Sequence, residues 1–206
     1  MTVALAIEGL AIARGGRTLF SGLDVRIGSG ACVELTGPNG AGKTSLLRAL
    51  AGFLPPIAGA IRFEEDGAVV DLADRPARLH LLGHRDGLKG SLDARAHLAF
   101  WRGVLGGGGT DDATALDRVG LTAMAPFPTR AYSAGQGRRL ALARLLVSPR
   151  PVWLLDEPAA ALDRAGKELL RSLIAAHRAE GGIVIAAVHE PLEVLDVRTI
   201  AIGAVA

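Results

Sequence analysis

The octapeptide Gly37-Pro38-Asn39-Gly40-Ala41-Gly42-Lys43-Thr44 satisfies the pattern G-x-x-x-x-G-K-[ST], and it constrains the chain around it more than any other feature. Such a loop works only between a strand that delivers it and a helix that begins on its last residues. Both neighbours are legible. Ala31 to Thr36 is a compact apolar strand ending at Gly37, and Thr44 to Leu50 sets Leu46, Leu47 and Leu50 at helical spacing before Gly52. The glycines let the backbone fold tightly enough to aim N–H groups at phosphate oxygens, and the helix N-terminus adds partial positive charge. Residues 37–44, with Ser45 behind them, are therefore the candidate nucleotide-binding segment. Lys43 is placed to reach the β- and γ-phosphates, and Thr44 to put its hydroxyl on Mg²⁺.

The rest of the chain reads as an α/β protein built around that loop. Val3 to Ile27 contains short apolar stretches broken by Gly15-Gly16 and Gly28, and predicts an N-terminal antiparallel β region. Ala60 to Phe63 and Ala68 to Leu72 predict a hairpin around Gly67, and Leu79 to Leu82 a further short strand. Ser91 to Leu105, Asp111 to Val119 and Ala134 to Val147 predict helices, the first two separated by a flexible linker at Gly106 to Gly109. Beyond them come strands at Val152 to Leu155, Ile183 to Val188 and Thr199 to Ile202, with a helix at Ala165 to Glu180. Fully apolar strands alternating with helices argue for a parallel sheet covered on both faces. The expectation is one domain over residues 1–206, its parallel core interrupted by an inserted helical arm at about 88–147.

Composition narrows the class. A length of 206 residues, half of them hydrophobic, supports one well-packed domain. No run of about 18 apolar residues exists, so no spanning helix is expected. Met1 to Ile12 lacks a basic region and a small-residue cleavage site, which argues against secretion. The lone Cys32 excludes an internal disulfide and reads as a small buried strand residue. A net charge of +2 and only eight aromatic rings (five Phe, two Trp, one Tyr) give no base-stacking surface, so no nucleic-acid partner is expected.

Two more motifs carry chemistry. Val152-Trp153-Leu154-Leu155-Asp156-Glu157 is an apolar strand ending in two acids. Beside a phosphate loop, Asp156 is a candidate Mg²⁺ ligand through water, and Glu157 a candidate general base for the attacking water. In Tyr132-Ser133-Ala134-Gly135-Gln136-Gly137-Arg138-Arg139, Ser133 is a good N-cap, and the helix behind it reads as amphipathic, with Leu142, Leu145 and Leu146 on one face. A hydroxyl, small residues and a helix N-terminus make a second anion site.

These segments resemble the ABC transporter ATP-binding subunits, whose signature is usually written Leu-Ser-Gly-Gly-Gln; here Ser133, Ala134, Gly135 and Gln136 stand in it. The resemblance covers essentially the whole chain. It implies an ATPase using ATP and Mg²⁺ as a head-to-tail homodimer, each signature closing the phosphate loop of the other copy. Ala161-Leu162-Asp163 is similar to the loop that touches the opposite site. His189 is similar to the switch histidine that contacts the γ-phosphate and orients the water. Arg14 falls where the family usually has an adenine-stacking aromatic; a stacked guanidinium and a solvent-exposed arginine are equally open readings.

Within that family, Leu82-Gly83-His84 followed by Gly87-Leu88-Lys89, the Ser133–Gln136 variant and Leu19-Phe20-Ser21-Gly22-Leu23 resemble the haem exporter ATP-binding subunits of bacterial cytochrome c maturation. That likeness implies separate membrane-spanning subunits of the same system and a peripheral place on the cytoplasmic side of the bacterial inner membrane. Other readings are an ABC exporter ATPase for another cargo and a soluble ABC ATPase switch. His84 stands where most relatives carry glutamine, which makes it a further candidate at the Mg²⁺ site; coupling or water positioning suits it better than haem ligation. Tyr132, Ala134 and Ala160 depart from the common pattern and bear on the rate rather than on the reaction.

Overall fold

Val3–Arg14 (β1) and Arg17–Gly28 (β2) pair as one antiparallel hairpin across the Gly15-Gly16 turn in the computed structural model, which describes residues 2–71 and 73–203. The short stretches expected here are two strands of 12 residues each. Register shifts between Ile7 and Ala13 absorb the breaks in the apolar pattern without ending the pairing. Ala58–Glu65 (β4) adds to the other edge of β1, and Ala68–Val69 (β5) folds back on it, giving the order β2-β1-β4-β5. The expected end of that hairpin at Leu72 lies outside the described residues.

The second sheet is parallel throughout. Cys32–Thr36 (β3), Leu79–Leu82 (β6), Val152–Asp156 (β7), Ile183–Ala187 (β8) and Val197–Ala201 (β9) run in the order β6-β7-β8-β3-β9. Strands β7 and β8 are buried at every residue, as a central parallel strand with both faces covered must be. Their side chains alternate between two cores. Val152, Leu154, Ile183 and Ile185 face the antiparallel sheet and the helix Lys43–Leu50 (α1). Trp153, Leu155, Val184 and Ala186 face the opposite way, against two later helices.

The first two helices between β6 and β7 begin one to three residues later than the apolar pattern suggests, because aspartates cap them. Asp93 accepts from the Ala96 N–H at 2.8 Å ahead of Ala94–Leu105 (α2), and Asp111 accepts from Thr114 at 3.0 Å ahead of Asp112–Arg118 (α3). The glycine run joining them is open at Gly106 and Gly108 and packed at its last residue. A Cβ on Gly109 would run into the Leu146 carbonyl, and that carbonyl accepts from the Thr110 N–H at 3.0 Å. Arg102 reaches across to the Thr110 carbonyl at 2.9 Å and Asp112 at 2.6 Å.

Ala134–Val147 (α4) corrects a second expectation, since it has no polar face. Ala141, Leu142 and Leu145 pack into the core shared with the sheet and with Arg164–Ala179 (α5). Leu140, Ala143 and Val147 pack on its other side, against Ala94 and Leu98 of α2 and Ala115 and Leu116 of α3. Reading only one leucine stripe missed the alanines and Val147 that complete the opposite one. Its buried arginines find backbone acceptors instead of water: Arg144 donates to the Leu81 carbonyl at 2.9 Å and lies over the Trp101 ring. Leu142 is fully buried, so Leu142→Ala should cost about 2–5 kcal/mol of stability in urea unfolding.

Candidate nucleotide site

Three neighbouring strands deliver the chemistry at one edge of the parallel sheet. From the C-terminal end of β3 comes residues 37–42, from β7 come Asp156 and Glu157, and from β8 come Val188 and His189. Ligands of open parallel sheets bind outside the carboxyl ends of the strands, where the backbone leaves the sheet. Here a cleft of about 410 Å³ is lined by residues 38–45 with Arg14, Leu19, Glu157 and His189. That is within the ~300–1,000 Å³ typical of small-ligand sites.

The loop has little freedom to be anything else. Gly37 has φ 134°, and a Cβ there would collide with the Ile202 carbonyl, so only glycine fits. Lys43 is buried at 7 % exposure, and its ammonium donates to the Gly37 carbonyl at 2.6 Å and the Pro38 carbonyl at 3.3 Å. A lysine folded over its own loop in this way holds a positive charge within the ring of N–H groups that cradles a phosphate.

Below the loop, the Thr44 hydroxyl donates toward both carboxylate oxygens of Asp156, at 3.0 and 3.1 Å. Burial pushes the Asp156 carboxyl above its usual range, and the Thr44 hydrogen bond works against that shift. Among the described residues, no group of three or more His, Cys, Asp or Glu side chains is set to hold a metal. One hydroxyl and one carboxylate do suit Mg²⁺, which takes few protein oxygens and fills its shell with water and substrate phosphate. His84 lines an adjoining hollow with Thr44 and Asp156, yet it is exposed and makes no hydrogen bond among the described residues.

Glu157 and His189 meet directly. His189 Nε2 lies 2.8 Å from Glu157 Oε1, and both side chains are part-exposed to the cleft. Glu157 sits at φ 50°, a left-handed backbone unusual for a residue with a side chain. Its N–H donates to the Ala187 carbonyl at 2.9 Å, which binds the turn after β7 to the end of β8.

The signature residues do not line this cleft. Ser133 caps α4: its hydroxyl accepts from the Gln136 N–H at 3.2 Å, while Gln136 Oε1 accepts from the Ser133 N–H at 2.9 Å. Ser133 and Ala134 stand exposed at the helix N-terminus. A Cβ on Gly135 would come within 2.9 Å of the Ala161 carbonyl, and Arg139 pairs with Asp163 at 2.7 Å. Asp163, expected in a partner-facing loop, is also the N-cap of α5, accepting from the Gly166 N–H at 2.8 Å. Arg14 is solvent-exposed on the cleft wall, a position that leaves both of its readings open.

Sequence reasoning missed three contributors. Leu19 lines the cleft from the start of β2; its segment, Leu19 to Leu23, carried a family likeness but no site role. Arg138 is a buried cation on α4, and Asp86, half-buried, is its ion-pair partner at 2.8 Å. Two adjacent arginines inside an otherwise largely apolar helix were the only available signal for that pair.

Known proteins agree with this geometry. The family model described as ABC transporter matches residues 20–160. A cytochrome c biogenesis ATP-binding export protein CcmA from Nitrobacter winogradskyi is 51% identical over 188 residues, covering 91% of this chain and 92% of its own. One of the same name from Rhodopseudomonas palustris is 49% identical over 202 residues, covering 98% and 99%. An ABC transporter ATP-binding protein of Pyrococcus furiosus superposes with a TM-score of 0.84 over 98% of this chain and 100% of its own; at 24% identity it speaks for the fold alone. With a family match over most of its length and relatives near half identity, the chain belongs to the ABC transporter family, as an ATPase subunit.

Proposed function

We propose that this ATPase serves the haem exporter complex of cytochrome c biogenesis, working as an ATP-closed homodimer beneath separate membrane-spanning subunits on the cytoplasmic face of the inner membrane. One observation carries the dimer: the phosphate loop, Glu157 and His189 share a cleft, while the capped N-terminus of α4 stands exposed outside it. A second copy arranged head to tail brings Ser133, Ala134, Gly135 and Gln136 to that cleft. The export system is read from the names of the relatives, which span nearly the whole chain. No helix among the described residues is long and apolar enough to cross a membrane, so the translocation path has to come from other chains.

In the proposed reaction, the N–H groups of residues 39–42 and the Lys43 ammonium hold the β- and γ-phosphates of ATP, with the loop through Ser45 enclosing them. Arg14 lies against the base. Thr44 and Asp156 hold Mg²⁺, which neutralises charge on the phosphates when bound, and His84 stands next to them to position water. Glu157 accepts the proton of the attacking water, and His189, hydrogen-bonded to Glu157, orients it toward the γ-phosphate. Residues of about 88–147 form an arm whose movement passes closure to the membrane subunits.

Purification of the tagged chain from membranes tests the assignment. Recovery of a membrane subunit of the cytochrome c biogenesis system is the expected result. An unrelated permease would discard haem export and keep the ATPase, and the absence of any membrane partner would favour a soluble switch.

A further inference from the structure

Arg138 makes four hydrogen bonds from a side chain only 2% exposed, and each goes to a segment that the reaction uses. Its Nη1 donates to the Gly83 carbonyl at 3.0 Å and to Asp86 Oδ1 at 2.8 Å, on the loop that carries His84. Its Nη2 donates to the Asp156 carbonyl at 3.1 Å and to the Glu157 carbonyl at 2.7 Å. One planar guanidinium on the first turns of α4 thus spans the loop leading into the arm and the backbone of both acids. A lysine cannot repeat this, since its ammonium is a single point rather than a fork.

We infer that Arg138 is a positioning residue for hydrolysis, holding Glu157 in its left-handed backbone so that the carboxylate stays on the water, and tying that geometry to the 83–86 loop. The backbone at Glu157 is the reason such a hold is needed. A residue with a side chain at φ 50° sits in a sparsely populated region and persists only where its surroundings over-determine it. Three contacts do so: the Ala187 carbonyl accepts the Glu157 N–H, and the Glu157 carbonyl accepts from the Ala160 N–H at 3.1 Å and from Arg138 at 2.7 Å, the one side chain among them. Asp86 supplies the counter-charge; burial raises its carboxyl above the usual range and the Arg138 charge opposes that rise. Arg138 is not among the residues that line the nucleotide cleft, and its influence runs through the peptide units of Asp156 and of the cleft-lining Glu157.

This inference rests on the assignment of Glu157 as general base, and the experiment separates the two. Arg138→Ala strips a buried charge partner from Asp86 and endangers folding, so Arg138→Lys is the decisive variant. Steady-state phosphate release, nucleotide affinity by fluorescence titration and the thermal unfolding midpoint are measured on the same full-length preparation, with Glu157→Gln alongside. A slight misplacement of a catalytic group is worth about 10- to 100-fold in rate. Arg138→Lys should therefore lower kcat by about tenfold or more, with ATP affinity within about threefold and the midpoint little changed, the pattern of an interaction realised in the transition state. Wild-type kcat in Arg138→Lys, or a loss matched by equal losses of affinity or of midpoint, would overturn the inference and leave Arg138 as fold support. Undiminished turnover in Glu157→Gln would instead remove the general-base assignment itself.

Discussion

Glu157→Gln reduces turnover by about 10²–10⁴-fold, the usual worth of a general base, and leaves nucleotide binding intact. The amide keeps the volume of the carboxylate and can still accept from His189 Nε2, which lies 2.8 Å from Glu157 Oε1 in the native chain. Backbone demands are unchanged too, because the Glu157 peptide bonds to Ala187, Ala160 and Arg138 do not involve the carboxylate. What disappears is basicity. Phosphate release should fall to near background, while titration with ATP gives an affinity close to that of the native chain. Retention of native turnover would place the proton acceptor elsewhere, with His189 the next group in reach.

Lys43→Ala has the opposite signature. It weakens ATP binding by roughly tenfold to a hundredfold, following the ~1.5–3 kcal/mol typical of hydrogen bonds to charged groups. The side chain is buried under its own loop, where its ammonium is satisfied by the Gly37 and Pro38 carbonyls. Those carbonyls lie beside the cleft, so water can replace the lost donor and the fold should survive; an unchanged far-ultraviolet spectrum checks this. Equilibrium titration reads the affinity directly. An unaltered dissociation constant would take Lys43 out of the phosphate site.

The parallel core was legible because its strands are apolar runs with few competing interpretations: Ala31 to Thr36, Val152 to Leu155 and Ile183 to Val188 all appear within a residue or two of their expected bounds. The convergence of the phosphate loop, Glu157 and His189 on one cleft was legible from their positions at strand ends. Other features depend on distant partners and leave no local trace. The β1–β2 hairpin tolerates register shifts that look like strand breaks in sequence. Gly106 to Gly109 has the composition of a flexible linker, and only the packing of Gly109 on the end of α4 fixes it. Likewise α4 acquires its second buried face from α2 and α3, and Arg138 its acceptors from residues 18 and more positions away. Three of the four partners of Arg138 are backbone carbonyls, which have no complementary residue type to betray them.

The contacts of Gly135 with Ala161 and of Arg139 with Asp163 have a consequence for assembly. In the proposed homodimer, the two outward-facing segments of one copy would already be joined by the Arg139–Asp163 ion pair before another copy arrives. Surfaces prepared in this way surrender little conformational entropy on meeting, so their encounter is limited by diffusion and orientation rather than by loop ordering. The lifetime of the proposed pair would then be left to the nucleotide between them, which would suit a machine that comes apart after every cycle.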